Sequence, residues 1–217
     1  MEKIKVVITG ASGMVGEGVL LECLQNEKVS DVLMVNRRHV DLIHPKLKEL
    51  IVPDFTNLFQ YSNVLAGYDT CFYCAGISSI GINEVAYTII TYDTTLHFAR
   101  AFLDINPSSV FTYVTGKGTD STESGKSMWA RVKGKTENQL MRLPFKGQYN
   151  FRPGFIKPFK EQKNVKLVFR IAGFFYKLLF PGESLTIQEI GRAMINLAIS
   201  GSSKQVLEIN DIRELAK

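Results

Sequence analysis

Between residues 10 and 16 the chain reads Gly10-Ala11-Ser12-Gly13-Met14-Val15-Gly16, and this turn constrains the fold more than any other segment. Its surroundings give it meaning. Ile4 to Thr9 is an apolar, β-branched run that reads as a buried strand, and from Met14 the period changes. Val15, Val19, Leu20, Cys23 and Leu24 recur at helical spacing, while Glu17, Glu22 and Gln25 fall elsewhere on the helix. A strand entering a helix through three spaced glycines has a physical rationale. One glycine allows the tight turn, the second lets backbone approach a pyrophosphate, and the third packs helix against strand. The helix N-terminus then presents N–H groups and partial positive charge to phosphates. All seven residues are therefore the expected dinucleotide cradle; a turn kept only for packing is the bland alternative.

The same alternation continues along the chain. Asp31 to Asn36, Glu49 to Val52, Asp69 to Cys74, Ser109 to Thr115 and Gln148 to Phe151 read as strands two to six. Between them lie an amphipathic stretch from Asn57 to Ala66, a long helical pattern from Asn83 to Ile105 that stops before Pro107, and a helix from Ser127 to Arg142. Repeated βα units predict an α/β fold: a three-layer, Rossmann-like, doubly wound parallel sheet. After Arg152-Pro153-Gly154 the spacing predicts helices over Lys163 to Leu179 and Thr186 to Ser200, then a short strand from Val206 to Ile209. The whole of 1–217 reads as one NAD(P)-binding domain, with 153–217 a small C-terminal helical cap on the substrate side.

Composition narrows the class. Twenty-six Lys and Arg against 21 Asp and Glu leave a net charge of +5, which suits an anionic ligand and does not call for nucleic acid. Cys23, Cys71 and Cys74 are too few for a disulfide framework. The longest apolar stretch, Leu167 to Phe180, is broken by Arg170 and Lys177 and is too short for an integral membrane segment. With no N-terminal signal pattern, the expectation is a cytoplasmic protein.

The end of the second strand indicates which dinucleotide. An NAD site offers a carboxylate to the ribose 2′-hydroxyl about 20 residues past the glycine loop. Here Asn36-Arg37-Arg38 stands instead, with two guanidiniums placed for a 2′-phosphate, so NADP is expected over NAD. Asp54-Phe55 and Cys74-Ala75-Gly76, after strands three and four, are expected along the adenine and the cofactor. Cys71 and Cys74 fall on opposite faces of one strand, so they read as structural rather than as a redox pair. His39, His44 and His97 form no ligand spacing with them, and no metal is expected.

With these motifs in order, the chain resembles the short-chain dehydrogenase/reductase superfamily. It looks closest to the extended and atypical branch, which includes NAD-dependent epimerase/dehydratase-like proteins and the Tat-interacting oxidoreductase group. The likeness spans residues 3 to 155 and is carried by Thr9-Gly10-x-x-Gly13-x-x-Gly16 and by Arg152-Pro153-Gly154 after strand six. It implies a Ser or Thr after strand five that orients a carbonyl, then Tyr-x-x-x-Lys on the next helix. In that pattern the phenol moves the proton and the Lys holds the nicotinamide ribose. Lys133 matches the Lys position and Thr115 the hydroxyl position, but Trp129 stands at the Tyr position and Gly116 follows Thr115. An indole N–H donates a hydrogen bond yet does not titrate near neutral pH.

Three functions stay open on these residues. One is an NADP(H)-dependent oxidoreductase acting on a carbonyl compound with a displaced proton donor, for which Tyr73, Tyr87, Tyr92, Lys117 and Lys133 are candidates. Another is a catalytically inactive NADP(H)-binding regulatory or redox-sensing protein, and the last an interaction scaffold with a relic cleft. Phe155, Phe159, Phe169, Phe174, Phe175, Tyr176 and Phe180 crowd the segment after Pro153. They read as a face covering the sheet, as the wall for an apolar or aromatic substrate, or, with Lys157, Lys160, Lys163, Lys166, Arg170 and Lys177, as a binding surface. Asp120 to Lys126 reads as a mobile cover or a plain solvated connection, with Ser127 the candidate N-cap of the helix behind it. A homodimer is consistent with the resemblance, and nothing in the residues decides it.

Overall fold

The computed structural model describes residues 3–159, 162 and 183–217. Strand β1 (Ile4–Thr9) leads through the glycine turn into helix α1 (Met14–Gln25), followed by β2 (Val29–Asn36) and β3 (Leu47–Ile51). A 3₁₀ stretch, Phe55–Tyr61, and a single turn α2 (Ser62–Leu65) return the chain to β4 (Thr70–Tyr73). Then come α3 (Glu84–Thr88), α4 (Thr94–Ile105), β5 (Val110–Val114), α5 (Met128–Leu140) and β6 (Gly147–Phe151). Strand β7 (Phe155–Lys157) pairs with β8 (Ser184–Thr186) in a separate two-stranded ribbon. Helix α6 (Ile187–Ser200), strand β9 (Val206–Leu207) and helix α7 (Ile209–Leu215) close the described chain.

The main sheet has seven strands in the order β3-β2-β1-β4-β5-β6-β9, every pairing parallel. The order reverses between β1 and β4, which opens the crevice outside the C-terminal strand ends where doubly wound sheets bind ligands. Alternation along β1 fills both layers. Val6 and Ile8 pack with Val19, Leu20 and Cys23 of α1, and Val7 packs with Leu33, Cys71 and Phe111 on the other face. All three β1 side chains are fully buried, each worth roughly 1.5–3 kcal/mol against exposure. Cys71 and Cys74 belong to opposite clusters, as their spacing predicts.

The expected helix from Asn83 to Ile105 forms as one rod with a π turn, Ile89–Asp93, between α3 and α4. The Thr94 hydroxyl donates to the Ile89 carbonyl at 2.9 Å across that turn, five residues back. No periodicity in the sequence marks the extra residue. The rod starts where the Asn83 side chain accepts from Ala86 N.

The C-terminal region is built into this body as well as alongside it. Helix α6 starts with a capping box between Thr186 and Glu189 and covers α1. The two helices approach through glycines: a Cβ on Gly18 would lie 2.1 Å from Ile187 Cγ1, and one on Gly191 would lie 2.7 Å from the Glu22 side chain. Strand β9 then extends the sheet beyond β6. The predicted helix over Lys163 to Leu179, with Phe169, Phe174, Phe175, Tyr176 and Phe180, lies outside the described residues. Among the described residues, no helix is long and apolar enough to cross a membrane.

Candidate cofactor and substrate site

The glycine turn is fixed by sterics. Gly10 has φ +74°, and a Cβ there would lie 2.7 Å from the backbone of Cys74 and Ala75. A Cβ on Gly16 would lie 2.1 Å from Gly10 O, so the start of α1 rests directly on the end of β1. Gly13 occupies the N-cap with extended backbone and brings no side-chain oxygen. The first N–H groups of α1 therefore have no side-chain capping acceptor, while Ser12 and Gly13 are exposed and Ala11 is buried. This arrangement fits a pyrophosphate. Sequence reasoning missed one support: buried Gln162 donates from Nε2 to Met14 O at 2.6 Å, and its Oε1 accepts from Phe159 N. A lone Gln in a basic, aromatic segment carried no signal.

At the end of β2, Arg37 and Arg38 are exposed, and Asn36 is buried with its Nδ2 unpartnered. A buried amide donor without an acceptor is costly, and its place between the glycine turn and two guanidiniums suits a ribose hydroxyl or phosphate oxygen. Asp54 is also exposed, its carboxylate held below the usual range by the Thr56 N–H and hydroxyl. Phe55 departs from expectation. It is buried, with its ring against Tyr73 and Phe98, so it is core and not an adenine wall. Ala75 N donates to Thr9 Oγ1 at 3.2 Å, which ties the Cys74-Ala75-Gly76 turn to the end of β1 beside Gly10. Burial pushes the Cys74 thiol up to about 12, so it stays protonated.

Beyond β5 the arrangement is more individual. A cleft of about 620 Å³ is lined by Val15, Val114 to Gly118, Trp129 and Pro153 to Ile156. Lys133, one helical turn past Trp129, donates from Nζ to Thr115 O at 3.0 Å. Burial pulls its pKa down to about 8, against the opposing pull of the Glu137 carboxylate. Thr115 keeps its place and loses its expected use. Its hydroxyl donates to Glu137 Oε1 at 2.6 Å, with Phe151 O also within 3.1 Å, so it is committed inside the wall rather than offered to a substrate carbonyl. Glu137, fully buried, is the group the sequence concealed. Arg152 donates to it from Nε and from a terminal nitrogen, and also reaches Glu208 and the Ser121 hydroxyl. The Arg of the Arg-Pro-Gly motif thus ties β6 to α5 and to the foot of α7.

Two of the expected alternative proton donors are withdrawn by burial. Tyr73 and Tyr87 are about 2% and 1% exposed, and desolvation raises both phenols. Tyr92 sits under the Lys135 ammonium at 4.7 Å from its ring centre. Lys117 remains at the cleft, paired with Glu183 Oε1 at 2.5 Å. The loop from Asp120 to Lys126 is largely exposed, as a solvated connection is, and it is also tied by its own hydrogen bonds. Asp120 accepts from Thr122 N, Thr122 Oγ1 and Gly125 N, and its own N–H donates to Ala130 O. Asn138 holds Ser121 O and Glu123 from α5. Gly134 makes this close approach feasible, since a Cβ there would lie 1.8 Å from Asp120 O. Ser127 stands at the N-cap of α5, but its side chain makes no capping bond.

No family model matches the chain. Two curated proteins are similar along most of it. Protein HTATIP2 of Rattus norvegicus is 26% identical over 223 residues, covering 100% of this chain and 91% of the relative. Protein fmp52, mitochondrial, of Aspergillus clavatus is 23% identical over 209 residues, covering 89% and 86%. Among solved structures, the Helicobacter pylori ADP-L-glycero-D-manno-heptose-6-epimerase superimposes with a TM-score of 0.71 at 16% identity, over 100% of this chain and 82% of that one. The Bordetella bronchiseptica enzyme WbmF in complex with NAD+ gives 0.67 at 17%, over 99% and 77%. A short chain dehydrogenase from Burkholderia cenocepacia in complex with NADP gives 0.64 at 16%, over 99% and 92%. Strand order and glycine turn thus define a Rossmann-like doubly wound α/β protein, the fold that these solved enzymes share. Along its whole length the chain is similar to protein HTATIP2, and in fold to the heptose epimerase and to WbmF.

Proposed function

We propose that the protein is an NADP(H)-dependent oxidoreductase in which residues 1–217 act as one unit and the region after Pro153 forms the substrate side. The observation that carries this reading is the uncapped glycine turn at the C-terminal end of β1, with the Lys133 ammonium bonded to Thr115 O at the end of β5. Gly10, Gly13 and Gly16 would hold the pyrophosphate, Asn36 the adenosine ribose, Arg37 and Arg38 a 2′-phosphate, and Lys133 the nicotinamide ribose. The bound nicotinamide supplies or accepts the hydride.

The chain's own residues manage the proton. With Tyr73 and Tyr87 buried, Lys133 is the candidate donor of choice, and a pKa of about 8 lets its Nζ release a proton to a developing alkoxide and recover it from water. Glu137 keeps that ammonium from losing its charge altogether in a dry wall. Trp129 favours a second reading, a protein that binds NADP(H) without turnover, because the indole does not titrate.

A calorimetric titration with NADPH and then NADH at one ionic strength separates these readings from a scaffold role. NADPH binding at least tenfold tighter, about 1.4 kcal/mol, is expected, and oxidation of bound NADPH by a carbonyl compound then distinguishes enzyme from sensor. Binding of neither nucleotide overturns both. Three free thiols, two of them fully buried, suit a reducing compartment such as the cytoplasm.

A further inference from the structure

We infer that the cleft takes a small carboxylate with a flat apolar body, Lys117 supplying the counter-charge and Trp129 and Phe155 the walls. The inference rests on the reading of this cleft as the substrate side of a cofactor site. Its volume of about 620 Å³ suits a small molecule. Among the described lining residues, Lys117 is the only charged side chain and the others are mostly apolar.

The cation is well seated. Its backbone N–H donates to Pro153 O at 2.9 Å, which locks the loop after β5 to the loop after β6. On one side, a Cβ at Gly116 would meet nothing within 4 Å, so the space beside the Lys117 stem is open. On the other, the Gly118 position lies 3.9 Å from Trp129 Cη2, which puts the rim of the indole against the loop that carries the ammonium. The loop that carries the cation therefore borders the aromatic wall.

Glu183 shows what this ammonium accepts. Its carboxylate lies 2.5 Å from Lys117 Nζ, and the side chains are 50% and 40% exposed. An ion pair that open to water is weak, so a ligand carboxylate exchanges for Glu183 readily. The same wall argues against a polyhydroxylated substrate. Among the described lining residues the sole hydroxyl is that of Thr115, and it is already bonded to Glu137.

Trp129 is the chain's single tryptophan, so its emission reports on the cleft alone. The experiment titrates the protein, with and without saturating NADP+, with phenylacetate and with its neutral isostere phenylacetamide. Phenylacetate is expected to shift the emission with a Kd at least tenfold below that of the amide. Lys117→Met should erase that preference while leaving amide binding in place, and Lys117→Arg should retain most of it. Gly116→Val should block both compounds without unfolding the chain, because its Cβ has room. Equal affinities, a preference that survives Lys117→Met, or no saturable shift with either compound into the tens of millimolar would overturn the assignment. Calorimetry with NADP+ on the same preparation tests the cofactor reading separately, since the carboxylate preference is read with and without nucleotide.

Discussion

The β1–α1 turn and the β5–α5 connection occupy equivalent places at the C-terminal ends of two strands flanking β4, yet they are specified in opposite ways. In the first, backbone atoms leave no room: a Cβ at Gly10 or Gly16 would collide with main chain. In the second, Gly116 faces open space, and the arrangement depends on side chains from distant elements, Glu137 on α5, Arg152 after β6 and Glu183 before β8. Backbone sterics admit almost no substitution, whereas a cleft built from side chains keeps its shape while its chemistry changes. A glycine turn that follows its rule beside a β5–α5 segment that departs from its pattern is the result.

The departure is the first thing to break. Trp129→Tyr restores a titratable phenol, and hydride transfer from NADPH should rise about a hundredfold, in the range that a positioned proton donor provides. An unchanged rate in a stopped-flow trace at 340 nm would show that position 129 is not a vacant catalytic slot.

Next in size is the pair that holds the second region together. Glu137→Ala leaves the Arg152 guanidinium buried without its main partner and should cost about 3–5 kcal/mol in urea unfolding. A loss under 1 kcal/mol would mean that Glu208 and Ser121 suffice. In the first region, Gly16→Ala should cost about 1–3 kcal/mol through forced backbone movement, and nucleotide binding should disappear from the calorimeter. Arg37→Ala and Arg38→Ala, both exposed, should leave stability unchanged while shrinking the NADPH-over-NADH preference about tenfold together.

The remaining effect is a pH dependence. Lys133 has its pKa lowered from 10.5 to about 8 on folding, so between those values the unfolded chain binds more protons than the folded one. Stability should therefore rise with pH across that window, and the penalty on the charged lysine is fully present below about 8. Lys133→Met should flatten this slope in thermal melts taken between pH 7 and 10.5. A parallel shift of both proteins would place the lysine in a wetter site than its surroundings indicate.

Much of the fold was legible because it is written in local periodicity. The strand-helix alternation, the helix beginning at Thr186 and the proline stop after Ile105 all depend on residues close in sequence. What stayed hidden depends on partners far apart. Glu137 looks like any polar helix residue until Arg152 and Thr115 reach it. Phe55 follows a strand that ends at the crevice, and its neighbour Asp54 turns outward, but the aromatic cluster of Tyr73 and Phe98 claims the ring. The loop before α5 reads as solvated because its order comes from one carboxylate, Asp120, accepting several N–H and O–H groups at once. One signal was available: glycine in mid-helix costs about 1 kcal/mol against alanine, and Gly134 earns its position only by letting Asp120 approach.

The meeting of α1 with α6 has a temporal meaning. Helix α1 carries the nucleotide turn at its tip, and one of its faces is sealed by residues 187–200 through Gly18 and Gly191. The glycine motif at 10–16 is synthesised long before residues 187–200, so α1 is made well ahead of the helix that covers it. Support for the glycine turn thus waits on residues made long after it, and a product cut short before α6 carries that turn on a helix with one face uncovered.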